Sequence, residues 1–253
     1  MRTRACVAML AAGMTTAASM ALAADDDKKM LPGDFTGSLA LTTDYLFRGI
    51  SQTDNSPSVQ GVLEWEYAVS PEFKPFLGIF ASNLDFNDGN EATIEMDFYG
   101  GFRGEIAGFT YSIGGIGYVY PGANSDLNYD YAEAAFKLGY DLGFASVTGA
   151  INYSPDYFAA SGDAVYVAGD VAVPLPFIPL ETKLLFHVGR QWIDKNDRFG
   201  TPDYTDWNIG IATTIDGFTL TLAYADTSLS KNECFGGRNL CDGRVLFTVS
   251  KAF

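Results

Sequence analysis

From Phe35 onward the chain alternates apolar and polar residues with a period of two. Phe35, Gly37, Leu39, Leu41, Thr43, Tyr45 and Phe47 fall on one side, and Thr36, Ser38, Ala40, Thr42 and Asp44 on the other. Successive side chains of a β-strand point to opposite faces, so the pattern predicts a strand with one apolar face. Residues 59–69 repeat it, with Val59, Leu63, Trp65, Tyr67 and Val69 opposite Gln60, Glu64 and Glu66. Residues 92–104 place Ile94, Met96, Phe98 and Phe102 opposite Thr93, Glu95, Asp97 and Arg103. Similar segments follow at 109–119, 131–140, 144–153, 165–173, 184–191, 207–215, 218–224 and 244–250. Residues 76–83 are a twelfth strand whose facing the pattern does not assign.

These segments cluster near the roughly 9–11 residues that a tilted strand needs to cross a bilayer. The connections alternate in length. Those near 70–73, 105–108, 141–143, 174–179 and 216–217 are tight, whereas 48–57, 84–90, 120–128, 154–163, 193–203 and 228–243 are longer and polar. Nine of the ten prolines fall in connections or the N-terminal tail, and Pro75 starts a strand, as expected where the ladder needs every N–H. A soluble sandwich shares the alternation, but here aromatics (Phe35, Tyr45, Phe47, Trp65, Tyr67, Phe109, Tyr140, Phe218) gather near strand ends on the apolar faces, as interfacial girdles do. The expected fold is therefore all-β: an up-and-down antiparallel transmembrane barrel of about twelve strands, with short periplasmic turns and longer extracellular loops.

The N-terminus fits that setting. Arg2 and Arg4 precede an uncharged stretch, Ala5 to Ala24, that closes with Ala21-Leu22-Ala23 before Asp25-Asp26-Asp27. This reads as a secretory signal peptide, 1–23, followed by a short periplasmic tail, 24–33, and the barrel domain, 34–253. The whole chain has a formal net charge of −15, and losing Arg2 and Arg4 makes it two units more negative. Nucleic-acid binding is excluded on that balance. No apolar run after residue 24 is long enough for a spanning helix. Cys234 and Cys241 flank FGGRNL, and in an oxidising compartment they read as one disulfide closing a small loop. No motif calls for a cofactor, and two thiols without a nearby His make an incomplete metal site.

Val245, Phe247, Val249 and Phe253 share one face, and the chain stops on an aromatic. The ending resembles the terminal-strand signal that hands bacterial outer-membrane barrels to their assembly machinery, with Lys251 where an apolar residue is usual; its ammonium can snorkel to the headgroups. The segments YLFRGISQT (45–53), SVQG (58–61), IEMDFYGGF (94–102), YVYPGA (118–123), YSPDYF (153–158) and DYTDW (203–207), with the terminal SKAF, resemble in that order the TorF family, whose members are taken for porins. The resemblance spans nearly the whole mature chain. It implies a Gram-negative outer-membrane barrel that acts as a channel, and it supplies no catalytic residues.

Function is then a question about the lumen. Strand phase points Asp44, Glu64, Glu66, Glu95, Asp97, Glu133, Asp170 and Asp206 inward, against Arg103, Lys137, Lys183 and Arg244, with His187 beside them and Arg48 at the outer mouth. Such a lining suits an open pore for small hydrophilic solutes or ions with a weak preference for cations. Charges that pair across a narrow barrel and plug it are the first alternative. An integral hydrolase is the second, and it needs an activated nucleophile beside the lone His187. Acidic loop residues (Asp85, Asp88, Glu91, Asp126, Asp156, Asp163, Asp194, Asp197) face the lipid and lipopolysaccharide surface, without calcium-loop spacing. Intact-mass measurement of the exported protein is expected to give a chain that starts at Ala24; a mass retaining residues 1–23 would contradict the cleavage site.

Overall fold

The computed structural model describes residues 31–87, 89 and 92–253. The expected signal peptide, residues 24–30 of the expected tail, and Asp88 and Glu91 of the loops lie outside them. The described strands are β1 (Asp34–Thr42), β2 (Leu46–Phe47), β3 (Ile50–Ser51), β4 (Ser58–Glu66), β5 (Lys74–Asn83), β6 (Ile94–Ile106), β7 (Phe109–Val119), β8 (Tyr131–Asp141), β9 (Ser146–Ser154), β10 (Ala164–Pro174), β11 (Glu181–Ile193), β12 (Tyr204–Ile215), β13 (Phe218–Thr227) and β14 (Arg244–Ala252). Except for β2 and β3, each pairs antiparallel with its neighbours, and β1 pairs with β14. The described residues thus form one closed, twelve-stranded, up-and-down barrel.

The two faces differ as the alternation predicts. Leu39, Leu41, Val59, Leu63, Leu77, Phe98, Val188 and Phe247 are exposed on the outside, while Gln60, Glu64, Glu95, Asp97 and Glu133 are buried inside. An outer band this apolar is tolerated where lipid takes the place of water. Residues 76–83 now have a facing: Phe76, Phe80 and Ser82 are buried inside and Leu77 is exposed. Pro75 lies in β5, and Pro174 is the last residue of β10.

Closure is carried by the chain ends. Ser38 to Thr42 pair with Ala252 to Thr248. Beyond them Gly37 and Phe253 exchange both backbone hydrogen bonds, each 2.9 Å. The Phe253 ring lies against Gly37, where an added Cβ would sit 2.8 Å from ring atom Cε2. Lys251 does not disturb this seam, because its Nζ rests 4.4 Å from the centroid of the Phe218 ring.

The structure corrects three sequence readings at the long-loop end. The first strand stops at Thr42 instead of running to Phe47, and residues 43–57 turn into the barrel, where β2 and β3 form a small hairpin. Its tip is Arg48-Gly49, both at positive φ (48° and 79°), as a two-residue hairpin turn requires. Tyr45 and Phe47 are therefore interior residues and not part of an outer girdle. Arg48 is buried, 3% exposed, rather than standing at the mouth.

Deleting Phe253 removes two closing hydrogen bonds and is expected to cost about 2 kcal/mol from those bonds alone. Urea unfolding of the protein in vesicles should show this loss, together with a lower outer-membrane yield. Unchanged stability and yield would refute the assignment of the seam.

Candidate functional site in the barrel lumen

The lumen divides into a dry half under the long loops and a wet half towards the short turns. In the dry half, inward-facing Tyr118, Tyr131, Tyr166 and Tyr204 are almost fully buried. Tyr118 and Tyr131 stack at 4.3 Å between centroids, and Phe47 meets Tyr118 edge-on at 5.7 Å. Above them the loops contribute Phe86, Tyr120, Tyr129, Phe158 and Phe199, whose rings contact one another and Tyr157. Burial pushes the Tyr157 hydroxyl up to about 12 and raises that of Tyr120 well above its ordinary value, so both rings stay neutral.

The Arg48 guanidinium sits at the centre of this half. Its Nη2 donates to both oxygens of Glu133 on β8, at 2.8 and 2.7 Å, and its Nη1 donates to Gln191 Oε1 on β11 at 2.7 Å. The Arg48 Cζ lies 4.3 Å from the Tyr166 ring centroid and 4.7 Å from that of Phe47. Glu133 also accepts hydrogen bonds from Tyr118 and Asn152. The rest of the inward segment is tied through Asp44, which accepts from Ser51, Thr53 and Arg244 at 2.7, 2.8 and 2.6 Å. The disulfide loop lies over it: Ser51 N–H donates to Leu240 carbonyl, Arg238 donates to Phe86 carbonyl, and Cys234 and Cys241 are joined as the sequence predicts.

The remaining expected lining residues form three more groups. Arg103 donates to Glu64 and Glu66 at the short-turn end, with its Cζ 4.7 Å from the Phe76 centroid. His187 has a carboxylate on each ring nitrogen, Asp170 at 2.7 Å from Nδ1 and Asp206 at 3.0 Å from Nε2, and Tyr166 donates to Asp206 at 3.0 Å. Glu95 accepts the hydroxyl hydrogen of Tyr45. Asp97 is 4% exposed, and its Oδ1 has no hydrogen-bond partner among the described residues.

In the wet half a cavity of about 200 Å³ reaches His187 and Asp206 of the second group and Asp97 of the third. Its walls carry small side chains such as Ser38, Ala40, Thr221, Ala223 and Ser250, and its inner end carries Asp44, Arg48, Asp97, His187 and Asp206. Asp170 is on an inward-facing position, yet its side chain is 51% exposed, so water reaches it from the short-turn end. Sequence reasoning missed Tyr166 and Gln191 as partners of Arg48 and His187. Tyr118, Tyr166 and Tyr204 all stand on the inward phase of their strands, a signal that was available.

The family model described as "Bacterial protein of unknown function (Gcw_chp)" matches residues 27–253. No curated protein matches the chain. Among solved structures, a protein from a study of in-meso crystallization of membrane proteins aligns at TM-score 0.55 and 10% identity, over 87% of this chain and 83% of that one. The NanC porin aligns at TM-score 0.51 and 8% identity, over 87% of this chain and 98% of that one. At such identities the likeness speaks for the fold.

Removing one partner of a buried ion pair strands the other charge, which costs about 3–5 kcal/mol. Arg48→Ala should therefore lower unfolding stability by that order, and Arg48→Met combined with Glu133→Leu should recover part of it. An Arg48→Ala loss below about 1 kcal/mol would contradict the central position given to this pair.

Proposed function

The chain belongs to the Gcw_chp family of bacterial proteins of unknown function, and we propose that it is an outer-membrane channel for small hydrophilic solutes whose outer half is closed by its own residues 43–57. The observation that carries this reading is the water-reached cavity, which stops at a small hairpin held by side chains rather than at a packed strand layer. The resemblance to TorF porins and the porin-like fold support the same class. On this reading residues 1–23 direct export, and residues 34–253 are inserted by the assembly machinery through the Phe253 end. The outer band meets lipid, and the long loops face lipopolysaccharide.

Charge pairing sharpens the selectivity expected of such a pore. Arg48, Arg103, Arg244 and His187 each have carboxylate partners, and in the cluster around His187 two carboxylates share one imidazole. The uncompensated lumen charge is negative, which favours small cations. A permanently plugged structural barrel is the second reading, favoured by the depth at which Arg48 and Glu133 are buried. A Ser–His hydrolase is disfavoured by geometry: Nδ1 of His187 meets Asp170, and Nε2 meets Asp206 and the Tyr166 hydroxyl, so no serine is among the ring's hydrogen-bond partners in the described residues.

Planar-bilayer recording tests the reading directly. The wild-type protein should give small, cation-preferring steps in a KCl gradient, and replacing residues 45–52 with a Gly-Ser linker should enlarge them several-fold. Silence from both proteins would support the plugged barrel, and anion preference would overturn the selectivity.

A further inference from the structure

We propose that the inner end of the lumen cavity is a binding site for a small organic ammonium ion, seated against Asp97 and the aromatic rings around it. This goes beyond the channel reading while resting on its premise that solutes enter the wet half from the short-turn end.

The case begins with an unpartnered carboxyl oxygen. Two cations that line the cavity already have carboxylates: Arg48 has Glu133, and His187 has Asp170 and Asp206. Asp44, which also lines it, is held by Arg244. Glu95, one inward position from Asp97, receives a tyrosine hydroxyl. Asp97 is left in the cavity wall with a buried Oδ1 that has no hydrogen-bond partner among the described residues. A buried carboxylate oxygen without a donor is costly, so the site favours any ligand that brings a donor and a positive charge.

The surroundings select which cation. Phe80 pairs directly across the strand ladder from Asp97, and Tyr45 meets Phe80 edge-on at 5.9 Å. Phe76 and Tyr99, 6.3 Å apart, line the same wall. Aromatic faces next to one carboxylate suit an alkylammonium or quaternary ammonium, through cation–π attraction and burial of its carbon atoms. A hard divalent metal wants several oxygen ligands at once, and the described residues contain no group of three or more candidate ligands. The cavity, about 200 Å³, is of a size for a ligand of a few heavy atoms.

Isothermal titration of the refolded, detergent-solubilised full barrel with n-butylammonium, tetramethylammonium, butyrate and 1-pentanol tests this. Saturable binding of at least one ammonium ion is expected, with none for butyrate and markedly weaker binding for neutral 1-pentanol. Asp97→Asn, which keeps the side-chain shape, should weaken ammonium binding by about tenfold or more, the effect of losing roughly 1.4 kcal/mol of charge attraction. Absence of ammonium binding, equal binding of 1-pentanol, or unchanged affinity in Asp97→Asn would each overturn the proposal. The wild-type comparison alone decides the matter should the variant fail to fold. Because titration reads binding and not current, a barrel that binds ammonium without conducting would sink the channel and keep the site, and one that conducts without binding would do the reverse.

Discussion

A backbone that crosses lipid as strands has no water to satisfy its N–H and C=O groups, so every strand must have two neighbours. That constraint makes the β1–β14 seam the interaction on which everything else rests. It is closed by the pairing of Ser38–Thr42 with Thr248–Ala252 and finished by the mutual hydrogen bonds of Gly37 and Phe253. Gly37 lets the terminal ring lie flat on the outer face at the point where the ladder ends. The outer surface then needs only to be apolar, and the inner one inherits the chemistry.

Closing twelve strands creates an interior wider than inward side chains fill from opposite walls, unlike an eight-stranded barrel. The chain fills half of it by turning residues 43–57 inwards. This brings backbone and an arginine into a nearly dry space, where both must be satisfied. Asp44 takes two hydroxyls and Arg244, and Arg48 takes Glu133 and Gln191 while lying on the Tyr166 ring. A buried ion pair adds little to stability compared with apolar packing, but it is exacting about geometry. The hairpin is thus fixed in one place by directional contacts. The apolar rings above it, from Phe86 to Phe235, keep water from competing for them.

The barrel was legible in the sequence because lipid and lumen make opposite demands on alternate residues, and eleven strands showed their phase without help. The exception, residues 76–83, is explained by Phe76 and Phe80, apolar residues that face inward against the rule. The disulfide was also local and readable. The hairpin was not. Tyr45 and Phe47 continue the phase of β1, so a periodicity argument carries the strand past Thr42, and the turn signal is a single Gly49 beside an arginine. Charge partners were equally hidden, since Arg48 finds Glu133 and Gln191 at separations of 85 and 143 residues. Phase can say that a residue points inward, but the depth at which it meets a partner depends on strand stagger.

Splitting the lumen into dry and wet halves has an electrical consequence. In the dry half Arg48 and Glu133 are matched at close range and Glu95 takes a tyrosine hydroxyl, because low dielectric makes an isolated charge expensive. In the wet half Asp170 retains water and shares His187 with Asp206. Asp97 lies at the boundary, buried like the first group, and its Oδ1 has no hydrogen-bond partner among the described residues. A solute entering from the short turns therefore meets walls of small side chains first and the buried Asp97 carboxyl, beside Arg48 and His187, at the blind end.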